Sequence, residues 1–132
     1  VKVGGGYNHR LDLSSGLLIK DNHWIASKND FYKIIRDYDS ELPIQVEVDN
    51  KSQLTELLKY KVDAILLDNM EPEYAKICVD IIRAKSKNIF IEISGGVTLE
   101  NLSAYMINGV DGISSGALMH QAQNQKLKLE FM

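Results

Sequence analysis

Ala64-Ile65-Leu66-Leu67 is a short aliphatic run that ends on Asp68-Asn69. It is too short for a core helix and too continuous for a half-buried antiparallel strand, and reads as a strand of a parallel sheet covered on both faces. Comparable runs stand on either side: Leu17-Leu18-Ile19 and Ile44-Gln45-Val46-Glu47-Val48 before it, Ile89-Phe90-Ile91-Glu92-Ile93 and Val110 to Ile113 after it. The segments between them have helical periodicity. Phe31, Ile34, Ile35 and Tyr38 recur at three- and four-residue steps, as do Leu54, Leu57 and Leu58. Tyr74, Ile77, Cys78, Ile81 and Ile82 repeat the pattern, and so do Leu99, Leu102, Tyr105 and Met106. Ser27, Ser52 and Thr98 stand where helix N-caps belong, and Gly109 where a C-terminal glycine belongs. Strand and helix alternate with crossovers of about 20 to 25 residues, a length that only parallel strands require. No linker or low-complexity stretch divides the chain, so one α/β unit is expected.

The composition fits a globular protein. Of 132 residues, 45% are hydrophobic and 25% charged, and 15 basic residues against 18 acidic ones give a net charge of −3. No basic block supplies the footprint a nucleic-acid binder needs. No apolar run reaches the roughly 18 residues that span a bilayer, and Val1-Lys2-Val3-Gly4-Gly5-Gly6 lacks the apolar core of a secretory signal. The single cysteine, Cys78, allows no internal disulfide and offers no metal spacing. A cytoplasmic location is the expectation.

In parallel α/β sheets and barrels, ligands gather at the carboxyl ends of the strands. Reading the strand ends in turn gives Lys20-Asp21-Asn22-His23, Glu47-Asp49-Asn50, Asp68-Asn69, Ser94-Gly95-Gly96 and Ser114-Ser115-Gly116. The two serine-glycine loops each precede a helical segment, at Thr98 and at Ala117. Close backbone approach, free N–H groups and a helix dipole would all favour a phosphate there, while tight turns alone would equally call for Gly95 and Gly116. Glu47 and Asp68 can hold Mg²⁺ or a ribose hydroxyl, or serve as a helix cap or an ion-pair partner of Lys20. With Val46 and Val48 against helices, Glu47 points into the barrel, where an unpaired carboxylate is costly. Lys20 closes an aliphatic strand, an unusual place for a surface lysine. His9-Arg10 suits a carboxylate ligand, although such a pair in a loop is commonly just solvated. His23 and His120 are individually uninformative, Cys78 and the methionines read as core, and Trp24 is expected to pack at the rim.

These residues carry a resemblance. Gly4-Gly5-Gly6-Tyr7-Asn8-His9-Arg10, Leu18-Ile19-Lys20-Asp21-Asn22-His23, Val46-Glu47-Val48-Asp49 and Leu66-Leu67-Asp68-Asn69-Met70 come in order along the chain. Glu92-Ile93-Ser94-Gly95-Gly96-Val97 and Gly109-Val110-Asp111-Gly112-Ile113-Ser114-Ser115-Gly116-Ala117-Leu118-Met119-His120 follow. Together they resemble the quinolinate phosphoribosyltransferases, also called nicotinate-nucleotide pyrophosphorylases (carboxylating), over nearly the whole chain.

The resemblance implies an incomplete TIM-like α/β barrel and a transfer of phosphoribose from phosphoribosyl pyrophosphate to quinolinate, with decarboxylation, for NAD synthesis. It implies that His9, Arg10 and Lys20 hold the quinolinate carboxylates. Glu47 and Asp68 would face the ribose and Mg²⁺, and Ser94, Gly95, Ser115, Gly116 and His120 would face the phosphates. Lys20, Glu47 and Asp68 are the expected catalytic residues, and Glu47 and Asp68 the expected metal ligands. The family's full chains are homodimers or higher homo-oligomers. They carry an amino-terminal domain and an arginine-lysine motif of the type Thr-Arg-Lys-Thr that have no counterpart here. A whole eight-stranded barrel takes roughly 250 residues. Residues 1–132 are therefore expected to be the carboxy-terminal part of the barrel, with the amino-terminal domain absent and the first and last strands exposing edges. Two other readings stay open: a barrel-sharing protein related to molybdenum transport, and a non-catalytic fragment that needs a partner chain.

Overall fold

The computed structural model describes residues 1–9, 15–27, 30–39, 41–122 and 129–130. After a short 3₁₀ turn over Lys2–Gly4, the chain forms β1 (Leu17–Ile19), α1 (Asp21–Ser27), α2 (Phe31–Asp37), β2 (Ile44–Val48) and α3 (Lys51–Leu57). It continues with β3 (Ala64–Asp68), α4 (Pro72–Lys85), β4 (Phe90–Ser94), α5 (Leu102–Tyr105), β5 (Gly112–Ile113) and α6 (Ala117–His120). The five strands form one sheet in chain order, and every neighbouring pair is parallel. The expected α/β alternation is therefore what the chain adopts.

The strands separate their residues onto two faces. Val46, Val48, Ile65, Leu67, Ile91 and Ile93 form one face and are fully buried. They belong to the same apolar cluster as Leu54 and Leu57 of α3 and Ala75, Cys78, Val79 and Ile82 of α4. Because side chains alternate along a strand, the residues between them lie on the other face. Its central row runs Glu47, Leu66, Glu92, Gly112 in register across β2 to β5. The condition set by the two valines of β2 is met, and Glu47 points away from the helices.

The helix boundaries differ from the periodicity at several ends, for local reasons. Ser27 does not cap α2: it is the last residue of α1, and its hydroxyl donates to the carbonyl of His23 at 2.5 Å. The first turn of α3 contains Ser52, and the cap is Asn50, whose Oδ1 accepts from the Gln53 amide at 3.0 Å. Thr98 caps nothing, because Asn101 Oδ1 accepts from its amide at 2.8 Å and turns the chain before α5 begins. The helix expected from Leu99 to Met106 is thereby reduced to one turn. Gly109 has a left-handed φ of 98°, but it lies in the turn that leads to β5, beyond the α5 cap at Met106.

That turn is tied to α4 by Arg83. Its guanidinium donates to the carbonyls of Gly109 (2.9 Å) and Ile89 (2.7 Å), and it also pairs with Asp111. The same Asp111 carboxylate accepts from the Ile91 amide at 2.8 Å, so one side chain joins α4, β4 and the approach to β5. No helix among the described residues is long and apolar enough to cross a membrane.

Candidate active site

Lys20, Glu47, Asp68 and Ser94 lie toward the carboxyl-terminal edge of the sheet, on its inner face. Lys20 follows β1 directly, and its Nζ lies 3.3 Å from Oε2 of Glu47. The glutamate is buried while the lysine side chain is about half exposed, so the pair sits at the rim with the ammonium turned to solvent. The ion-pair reading of Glu47 and the barrel-facing reading thus hold together. Trp24 packs at this rim as expected. It stacks on Phe31 with ring centroids 3.7 Å apart and donates to the Glu47 carbonyl at 3.1 Å. His23 acts locally, its Nδ1 accepting from the Lys20 amide at 3.0 Å and closing the turn into α1.

Asp68 ends β3 and is half-buried. Its carboxylate comes together with those of Glu47 and Asp49, and the three ligand oxygens all lie within 4.8 Å of one another. Glu47 and Asp68 are the two acids singled out from the sequence. Asp49 was not, because its position just past β2 left its direction open. Three close carboxylates are a donor set suited to a hard divalent cation such as Mg²⁺.

The two glycine loops do different things. Gly95 has φ 87°, and a Cβ there would overlap the Asn69 side-chain amide and stand 2.7 Å from the Asn69 backbone nitrogen. Glycine is therefore required by the close passage of the β3 and β4 loops, which are also joined by the Asn69 amide donating to the Ser94 carbonyl at 3.0 Å. Gly116 has an ordinary φ of −68°, and a Cβ would meet only the His120 ring at 3.6 Å. The fold does not demand glycine at 116. Ser115 donates to the Val97 carbonyl at 2.5 Å and holds the two loops side by side.

The expected helix dipoles are not realised at these loops. α5 starts at Leu102, well beyond Ser94-Gly95-Gly96, and α6 has one turn, Ala117–His120. A single turn has free N–H groups but little aligned dipole.

His9, Lys20, Ser94, Ser115 and Gly116 line one cleft of about 450 Å³, together with Glu92 and Ser114. His120 is exposed on α6, beside Gly116 and outside that lining. Arg10 lies outside the described residues. The sequence did not single out Glu92 as a site residue. It is the second buried acid of the inner face and is contacted by His9, Gln45 and Ser114. A signal was present: Ile91-Glu92-Ile93 repeats the apolar-acid-apolar alternation of Val46-Glu47-Val48 further along the chain.

A parallel α/β sheet with a lysine, acids and glycine loops at its carboxyl edge has its polar side chains where α/β enzymes bind their ligands. The family described as "Quinolinate phosphoribosyl transferase, C-terminal domain" matches residues 1–130, and the chain belongs to it. It is 41% identical over 125 residues to the nicotinate-nucleotide pyrophosphorylase (carboxylating) of Mycobacterium leprae, covering 93% of this chain and 44% of that protein. It is 36% identical over 133 residues to the probable nicotinate-nucleotide pyrophosphorylase (carboxylating) of Bacillus subtilis, covering 98% and 45%. The crystal structure of the nicotinate-nucleotide pyrophosphorylase from Ehrlichia chaffeensis superposes with a TM-score of 0.81 at 39% identity, over 94% of this chain and 45% of that one. The chain thus spans less than half the length of these relatives.

Proposed function

We propose that this chain is the carboxy-terminal part of a quinolinate phosphoribosyltransferase barrel and contributes its acidic and phosphate-binding residues to the reaction. The observation that carries the reading is the convergence of Lys20, Glu47, Asp68 and the loops at Ser94 and Gly116 on one edge of the sheet, in a chain of this family. Lys20 and His9, with Arg10 next to His9 in sequence, hold the two carboxylates of quinolinate. The pyridine nitrogen then attacks the anomeric carbon of phosphoribosyl pyrophosphate as the bond to pyrophosphate breaks. Positive charge develops on the ribose, and the Glu47 and Asp68 carboxylates stabilise it. The 2-carboxylate leaves as CO₂, a proton replaces it at ring carbon 2, and nicotinate mononucleotide remains.

Gly116, where the backbone needs no glycine, leaves room for a phosphate to approach the amides that follow it, and Ser94, Gly95 and Ser115 complete that loop surface. His120 borders it. Glu47, Asp49 and Asp68 would hold Mg²⁺, which when bound offsets the charge of the pyrophosphate. A homo-oligomeric assembly and a cytoplasmic location belong to the same proposal. The names of the relatives above favour quinolinate over the reading related to molybdenum transport.

The test is turnover by the purified chain with quinolinate, phosphoribosyl pyrophosphate and Mg²⁺, following nicotinate mononucleotide by chromatography. Product above the no-enzyme control supports a self-sufficient site. A folded chain that forms no product and binds neither substrate overturns the residue roles proposed for this chain and favours a non-catalytic fragment, with the family membership unchanged. Binding without turnover favours a fragment that needs a partner chain.

A further inference from the structure

Glu92 lies in the middle of β4, in register between Leu66 and Gly112, and is 5% exposed. A carboxylate at such a depth is expensive unless donors surround it. Three side chains do so, each from a different part of the chain. Gln45 Nε2 of β2 stands 2.6 Å from Oε2, and His9 Nε2 of the amino-terminal segment stands 3.2 Å from the same oxygen. On the other oxygen, Ser114 donates its hydroxyl from the loop after β5. An ionised carboxylate only accepts, so the His9 proton that faces it resides on Nε2. The His9 side chain is 42% exposed, so packing alone does not set its orientation.

We propose that Glu92 is a positioning residue of the substrate site, acting through His9 and Ser114 and touching no substrate itself. It accepts from Nε2–H of His9 and so fixes the ring's orientation; Nδ1, an acceptor in the neutral ring, donates to a carboxylate ligand only once the ring takes up a second proton there. It also anchors Ser114 and so places the Ser115-Gly116 backbone opposite His9 in the cleft. This rests on the reading of His9 as a quinolinate contact. A neutral amide at 92 would keep one oxygen for Gln45 and His9 and turn its N–H₂ to the Ser114 hydroxyl, so the negative charge that favours a proton on His9 Nε2 is lost.

The test uses long-range ¹H–¹⁵N correlation spectra of the ¹⁵N-labelled full chain at about pH 8, where an ordinary imidazole is neutral. His9 of the wild type is expected to carry its proton on Nε2 without any ligand. Glu92→Gln is expected to give a tautomer mixture, and to weaken quinolinate by about tenfold or more in calorimetry, as loss of an orienting partner does. A wild-type His9 protonated on Nδ1 overturns the proposal even if no variant folds. So does a folded Glu92→Gln chain that keeps both the tautomer and the affinity. If the wild type binds no quinolinate, the substrate reading falls, while the tautomer spectra still decide the role of Glu92.

Discussion

Lys20 Nζ and Glu47 Oε2 stand 3.3 Å apart, at the carboxyl ends of the paired strands β1 and β2, with the acid buried and the lysine half exposed. The acid gains a counter-charge at the rim, and the ammonium keeps N–H bonds free for an anion. Lys20→Ala is expected to lower quinolinate affinity by at least about tenfold, the loss of one charge-assisted contact. It should also destabilise the fold by about 3 kcal/mol, because the buried Glu47 carboxylate is left without its counter-charge. Unchanged affinity in a calorimetric titration would remove Lys20 from the substrate site.

Asp68 brings its oxygens to Glu47 and Asp49. Asp68→Asn should therefore weaken phosphoribosyl pyrophosphate in the presence of Mg²⁺ more than it weakens quinolinate. Titrating each ligand separately checks the order, and the reverse order would move Asp68 to the other half of the site.

The two loop glycines should respond differently to the same added methyl group. Gly95→Ala forces a Cβ to 2.6 Å from Asn69 Cγ at φ 87°, and should cost about 1–3 kcal/mol in urea denaturation. Gly116→Ala meets only an ordinary contact and should leave the midpoint nearly unchanged while weakening phosphoribosyl pyrophosphate. A Gly116→Ala chain that binds it normally would assign that glycine no ligand role.

Arg83 donates to the carbonyls of Gly109 and Ile89, to the Lys87 carbonyl at 3.4 Å, and pairs with Asp111. Arg83→Ala strands these acceptors and frees the turn before β5, with an expected loss of about 2–3 kcal/mol. Hydrogen exchange should rise first at Ile91 and Asp111. Uniform exchange across the sheet would count against a local clamp.

Burial pushes the Tyr32 phenol up from its ordinary 10.0 to about 12, helped by the Glu56 carboxylate and by Tyr60, on which it stacks. The folded chain holds this proton more tightly than the unfolded chain does. The stability involved is intact below pH 10.0 and is lost as the pH rises through about 12. Denaturation midpoints should fall over that window in the wild type and fall less in Tyr32→Phe. Equal slopes would place the alkaline sensitivity elsewhere.

Much of the fold and of the candidate site was legible in the sequence. Five short aliphatic runs at crossover spacing specify parallel strands, because a strand covered by helices must be apolar at its outward positions. Strand-end positions then bring Lys20, Glu47, Asp68, Ser94 and Gly116 to one edge, since in a parallel sheet all carboxyl ends point the same way. Local competition between caps was not legible. Asn50 and Asn101 prevailed over Ser52 and Thr98 because a short amide side chain can close a turn on its own backbone, and that choice depends on dihedral angles. Alternation marks Glu92 as inward-facing, but nothing in the sequence could reveal its partners, three donors separated from it by 83, 47 and 22 residues. Alternation along each strand decided which residues face inward. Which of them touch was decided only when register across the sheet brought distant donors to one buried carboxylate.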